Sequence, residues 1–262
     1  MSEKKSEKGS SSIAKVQIDK ITVRGLDLCE DVIGKTSLTE YFLLLLSGEK
    51  PSAELIKLVD ASMVSIAEHG LVPSVQAARM TLASAPDALQ GAVAAGLLGC
   101  GSVILGASET AGRLLVEIVA EVAGGTPLET VVRTRLTSMH QQRISLPGFG
   151  HPIHRNGDPR AASLIAYAQR LGTRGKHTEA VEELDRQVEV VYGRKLPLNV
   201  SGAIPAVLLD AGFPVDSLRG IPIMARTASL IAHLAEERVK PIGFKLAAAA
   251  DRSIDFDGVE AI

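Results

Sequence analysis

Tryptophan is absent from this 262-residue chain, and aromatic residues make up only 3% of it. The core must therefore be assembled from Leu, Ile, Val and Ala, which favours close helix packing. There are two cysteines, Cys29 and Cys100, too few for a disulfide framework. No apolar run is long enough for a membrane span: the longest, Ala92 to Ala107, is short and is broken by Gly96, Gly99, Gly101 and Gly106. No basic patch runs along the chain and the net charge is -2, which argues against a nucleic-acid partner. Residues 1–12 are rich in Lys, Ser, Glu and Gly and lack the apolar segment of a signal peptide. They read as a disordered tail, and the cytoplasm is the expected compartment. Against these absences stands a hydrophobic content of 46%, which excludes disorder over most of the length and suits one compact unit or two joined lobes.

Loosely alternating apolar residues from Ile13 to Val23 suggest a short hairpin or extended arm. Nearly every later segment has helical period. Ser37-Leu38-Thr39-Glu40 forms a capping-box pattern that opens a helix to Leu46. Pro51, Pro73 and Pro86 are each positioned to start a helix, ending near Glu68, Ser84 and Leu98. Further helices are expected over 109–123, 126–143, 160–170, 178–192, 198–211 and 221–237. The tail beyond Ala250 is acidic and is expected to be mobile.

Residues 144–159 differ, with three Pro, three Gly and two His and no period. Such a loop carries function more often than packing. Gly148 and Gly150 flank Phe149 and allow close backbone approach to a ligand. His151 can act as acid or base near neutral pH, and Arg160 can grip a carboxylate with two hydrogen bonds. A Gly/Pro turn bearing solvated charges is the alternative. Metal ligation by His151 and His154 is disfavoured, because Cys or Glu ligands are lacking nearby and Pro152 spoils helical spacing. His69 ends a long helix, where a histidine is also favoured simply by the helix dipole. Arg226 lies in an apolar helix and needs an anion, either a structural carboxylate or a ligand.

Read in order, these pieces resemble the citrate synthase superfamily from about Val23 to Gly243. The resemblance rests on Arg24-Gly25-Leu26-Asp27-Leu28 with Leu38-Thr39-Glu40-Tyr41, on Ala67-Glu68-His69-Gly70 with Pro73-Ser74 and Ala78-Arg79, and on Pro147-Gly148-Phe149-Gly150-His151 with Asp158-Pro159-Arg160. Leu198-Asn199-Val200 and Ala225-Arg226 with Ala232-His233 complete the series. It implies a mainly α fold in which a large helical lobe (13–108 and 198–262) and a small one (109–197) hold the site in the cleft between them. It also implies a homodimer or higher homo-oligomer. By position, His69, His151, Arg160 and Arg226 match the residues that hold oxaloacetate, and His151 handles the proton on its oxygen. Gly148, Phe149 and Gly150 fall on the coenzyme A side. Lys240 sits where the family often has an arginine contributed by the second subunit.

Two positions depart from the family. Ile104 stands where G-P-L-H-G-G-A-N has its enolate-stabilising histidine, and Ser201 stands where N-V-D has its aspartate base. Neither side chain has useful basicity near pH 7. The missing histidine is similar to the citryl-CoA lyase modules of ATP-citrate lyase, although those modules keep the aspartate. The expectation is therefore a carbon–carbon lyase that cleaves citryl-CoA, or a related 3-hydroxy-3-carboxyacyl-CoA, to an acyl-CoA and a 2-oxo acid. His151, His69 and Ser201 are its candidate catalytic residues. No tightly bound cofactor is expected; the coenzyme A thioester is the substrate. The alternatives are a citrate synthase-like acyltransferase with an altered acyl-CoA and a non-catalytic homologue that binds coenzyme A or an acid.

Overall fold

The computed structural model describes residues 9–101, 105–150 and 157–258. Ile104, His151, His154 and most of the expected N-terminal tail lie outside them. Contacts divide the chain into two compact units, Met1–Asp60 and Ala61–Ile262.

The first unit opens with three short strands, β1 (Ala14–Val16), β2 (Ile21–Val23) and β3 (Leu26–Asp27), in an antiparallel sheet of that order. The register pairs Val16 with Ile21 and Val23 with Leu26. The expected hairpin is thus present, and a third strand extends it. A π-helical turn, Leu28–Val32, follows, begun by Asp27, whose carboxylate accepts the Cys29 and Glu30 amides. Helix α1 (Leu38–Ser47) is capped by the Ser37 side chain, which accepts the Glu40 amide, as the sequence pattern requires.

Helix α2 (Ala53–Ala67) begins in the first unit and ends in the second. It starts two residues beyond Pro51 because the Ser52 hydroxyl accepts the Leu55 amide and supplies the cap. The second unit continues with α3 (Pro73–Ser84), α4 (Leu89–Leu98), α5 (Gly106–Ala123), α6 (Leu128–Gln141), α7 (Pro159–Arg170), α8 (Lys176–Tyr192), α9 (Val200–Asp210), α10 (Gly220–Val239) and α11 (Gly243–Arg252). Pro73 opens α3 as expected, whereas Pro86 lies in a turn before α4. The fold is mainly α, and strand among the described residues is confined to the N-terminal arm apart from an isolated Phe149–Leu198 bridge.

Two packing groups build the second unit. In one, α3, α4 and α10 enclose Val75, Ala78, Leu82, Ala92, Leu230 and Leu234. A Cβ on Gly96 would lie 2.8 Å from Leu230 Cδ1 and 3.0 Å from Ser74 O, so a larger residue there would displace Leu230 in this core. In the other, α9 is buried along most of its length and packs against α5, α7 and α8. Helix α11 packs on α3 and extends two residues, Asp251 and Arg252, into the tail expected to be mobile.

Candidate active site

The C-terminal end of α2 leaves carbonyls without helical partners. Two arginines from distant segments take them: Arg160 Nη1 donates to Ser65 O at 3.5 Å and Arg226 Nη1 to Ala67 O at 3.2 Å. Cations are favoured at this end of a helix. The chain then turns through Glu68, His69 and Gly70, whose φ of 70° permits the turn.

The two arginines differ in what holds them. Arg160 forks onto Asp158, with Nε to Oδ1 at 3.0 Å and Nη2 to Oδ2 at 2.9 Å. Asp158 also caps α7 and accepts the Val200 amide at 2.9 Å, which ties α7 to the start of α9. Burial works against ionised Asp158, but the bonds from Arg160 and Val200 outweigh it and keep its carboxyl below the usual range. Arg226, by contrast, is 5% exposed, and among the described residues it forms no ion pair and its Nε has no hydrogen-bond partner. Burial disfavours its charge and Arg160 adds repulsion; Cys100 and Glu68 only partly oppose this.

The Gly/Pro loop is stitched to the segment before α9. The Asn199 amide donates to Gly148 O at 2.9 Å, the Gly150 amide to Pro197 O at 2.8 Å, and Asn199 Nδ2 to Gly150 O at 2.7 Å. Gly148 and Gly150 both have positive φ, 80° and 79°. A Cβ on Gly148 would lie 2.5 Å from the Gly202 Cα, so the loop reaches α9 only with glycine there. Asn199 caps α9 by accepting the Ser201 amide at 2.9 Å. Pro205, inside α9, has no N–H, so the Ser201 carbonyl lacks its usual helical donor. Beside Phe149 a cavity of about 360 Å³ is lined by His140, Arg143, Tyr192 and Arg194.

Of the expected site residues, His69, Arg160, Arg226, Ser201 and the Gly148–Gly150 loop therefore meet around the ends of α2, α7 and α9. His151 lies outside the described residues. Lys240 is not brought there within this chain: it caps α10 fourteen residues after Arg226, about 21 Å along the axis at 1.5 Å per residue. Asp158, Glu68, Ser229 and Asn199 complete the arrangement. Asp158 and Asn199 appear in the sequence only within the family motifs, and their capping roles emerge in the structure; Glu68 and Ser229 meet 161 residues apart, and no local pattern announces that contact.

A family profile described as citrate synthase, C-terminal domain, matches residues 16–243. The chain belongs to the citrate synthase family. Citrate synthase 2 of Bacillus subtilis is 29% identical over 76% of this chain and 52% of that protein. The chain thus spans about half the length of the curated relatives it matches. The structure of citryl-CoA lyase from Hydrogenobacter thermophilus is similar with a TM-score of 0.84 and 30% identity, covering 97% of this chain and 96% of that one. ATP citrate lyase from Methanothrix soehngenii, in complex with citrate and coenzyme A, shares the citrate synthase fold with a TM-score of 0.77 and 22% identity, over 96% of this chain and 42% of that chain. No helix among the described residues is long and apolar enough to cross a membrane. Among those residues no group of three or more His, Cys, Asp or Glu side chains is arranged to hold a metal ion.

Proposed function

We propose that this citrate synthase family member is a citryl-CoA lyase-type enzyme that cleaves citryl-CoA, or a related 3-hydroxy-3-carboxyacyl-CoA, to an acyl-CoA and a 2-oxo acid such as oxaloacetate. The observation that supports the reading most is the likeness to citryl-CoA lyase, with a TM-score of 0.84 and 30% identity over 97% of this chain. Ile104 and Ser201, in place of the acetyl-CoA-activating pair, favour the same direction.

The substrate's carboxylates fall to Arg226, whose buried guanidinium lacks an acidic partner among the described residues, to Arg160 and to His69. His151 takes the proton of the tertiary hydroxyl. As the carbonyl of the 2-oxo acid forms, the carbon–carbon bond breaks and its electron pair moves into the thioester as an enolate. Water protonates the enolate carbon, giving the acyl-CoA, and the proton on His151 returns to solvent. The Ser201 hydroxyl and carbonyl stand at the α9 terminus to orient that water. The basic cavity beside Phe149, with Arg143 and Arg194, suits the phosphates of coenzyme A, and Gly148–Gly150 its close approach. The lobes 13–108 with 198–262 and 109–197, a homodimer to which Lys240 contributes from the second subunit, and a cytoplasmic location complete the proposal.

The test is to mix the purified protein with citryl-CoA and follow oxaloacetate and acetyl-CoA. Cleavage is expected, with His151→Ala slowing it about 10²–10⁴-fold. Citrate formation from acetyl-CoA and oxaloacetate without cleavage of citryl-CoA establishes the synthase instead. Binding without turnover establishes a non-catalytic homologue.

A further inference from the structure

Arg226, Ser229, His233, Glu236 and Glu237 share one face of α10 at helical spacing, a polar stripe that the C-cap Lys240 continues. The ends of the stripe are accounted for, by Arg226 at the site and by Glu236 and Glu237 on Arg79. Its middle, Ser229 and His233, is not. Both side chains reach the same atom: Glu68 Oε2 accepts from Ser229 Oγ at 2.6 Å and lies 3.0 Å from His233 Nε2. The other oxygen, Oε1, accepts the amides of His69 at 2.9 Å and Gly70 at 2.5 Å. A carboxylate offers about four lone-pair sites, and all four are used.

The arrangement has direction. Arg79 Nη1 lies 3.4 Å from His233 Nδ1, and a guanidinium can only donate. An ionised carboxylate can only accept, so Nε2 carries the hydrogen offered to Glu68. A carboxylate immediately after the negative end of α2 is unfavourable by itself. Its position is explained by what it holds, the two amides of the turn that carries His69.

We propose that Ser229 and His233, acting through Glu68, are positioning residues that fix the His69–Gly70 turn and so set His69 against the bound 2-oxo acid. The inference rests on the reading of His69 as a substrate ligand. None of the three is a catalytic residue: none needs to touch the substrate, and their effect passes through the backbone of the turn.

Amide hydrogen exchange of the full-length protein tests the turn directly. Glu68→Ala is expected to speed exchange at Gly70 at least tenfold while an α4 amide such as Val93 is unchanged. Glu68→Gln, which keeps one acceptor oxygen, should restore most of the protection. His233→Ala and the milder Ser229→Ala should each give a smaller acceleration at the same amide. In kinetics with citryl-CoA, Glu68→Ala is expected to raise KM about 10-fold with a smaller change in kcat. Unchanged Gly70 exchange in both Glu68→Ala and Ser229→Ala overturns the proposal even if the wild type cleaves citryl-CoA. If the wild type does not cleave citryl-CoA yet Gly70 responds as stated, the positioning device stands and the lyase reading falls. If Glu68→Ala fails to fold, the Ser229→Ala result decides.

Discussion

Helix α10 serves two buried arginines, and it serves them differently. Arg79, from α3, is 2% exposed and fully engaged: Nε donates to Glu237 at 2.7 Å, Nη1 to Glu236 at 2.9 Å and Nη2 to the Lys240 carbonyl at 3.3 Å. Glu237 in turn accepts the amides of Ile242 and Gly243 and so starts α11. Arg226, on α10 itself, is almost as buried but has one hydrogen bond, to the Ala67 carbonyl, among the described residues. Burying a charge is unfavourable unless it is paired. An arginine paired on every side stabilises the fold, whereas one left short of partners among the described residues has donors to spare, which on the proposed function an anionic ligand takes. Burial therefore does not separate a structural arginine from a ligand-binding one; the partner inventory does.

The largest expected effect sharpens that contrast. Arg79→Met leaves Glu237 buried without its cation and should destabilise the protein by about 3–5 kcal/mol, lowering Tm by roughly 6–20 °C. Adding Glu237→Leu should recover part of the loss but not all, because the Ile242 and Gly243 amides still lack their acceptor. Arg226→Met, in the absence of ligand, should leave Tm unchanged or raise it. Differential scanning calorimetry of the three variants measures this. A Tm loss in Arg226→Met as large as that in Arg79→Met breaks the distinction.

Ligand response comes next in size. Oxaloacetate at about 100 times its Kd should stabilise the wild type by about 2.7 kcal/mol. Arg226→Met should weaken that binding about 10–100-fold, the worth of a charge-assisted hydrogen bond of about 1.5–3 kcal/mol. Isothermal titration with oxaloacetate reads the constant directly. A conservative Arg226→Lys should recover only part of it, since an ammonium cannot form the two-pronged bond. Unaltered affinity in Arg226→Met removes this arginine from the site.

What the sequence disclosed follows the range of the interactions. Elements set by neighbours are legible: the Ser37 cap, Pro73 at the start of α3, and the end of the fifth helix at residue 123. Pro51 and Pro86 misled, because a proline fits a preceding turn as well as a first helical position. Helix α11 was missed, since its first amides are satisfied by Glu237, which a local scan does not connect to it. Family motifs single out His69, Arg160 and Arg226 as candidates, and all three lie at the end of α2, the two arginines through hydrogen bonds to its carbonyls. The roles of Arg79, Glu68 and His233 were hidden because each is defined by a partner more than 150 residues away in the chain. The same residue types with local partners read as ordinary solvated charge.

The smallest effect concerns acid. Burial alone would raise the Glu237 carboxyl, but Arg79 and the Gly243 and Ile242 amides outweigh it and hold it below the ordinary value. A depressed carboxylate contributes stability that is complete above its unfolded value, about 4.3, and is lost as pH falls through the folded value. Arg79→Met/Glu237→Leu should therefore lose stability less steeply below pH 4 than the wild type. Glu237 accounts for at most about one proton per molecule, or roughly 1.4 kcal/mol per pH unit, and Glu236, whose carboxyl Arg79 also holds down, flattens the slope further in the same variant. Other depressed carboxyls, including Asp210 at about 2, remain in both proteins and cancel in the comparison. Glu68, also held at about 2, keeps its bonds from Ser229, His233 and the turn when Arg226 is changed. Arg226→Met should accordingly leave the acid slope close to that of the wild type. Urea unfolding at pH 3, 4 and 6 gives the three slopes. If Arg226→Met flattens the slope as much as the double variant does, a carboxylate pairs with Arg226 after all, and both arginines belong to the scaffold.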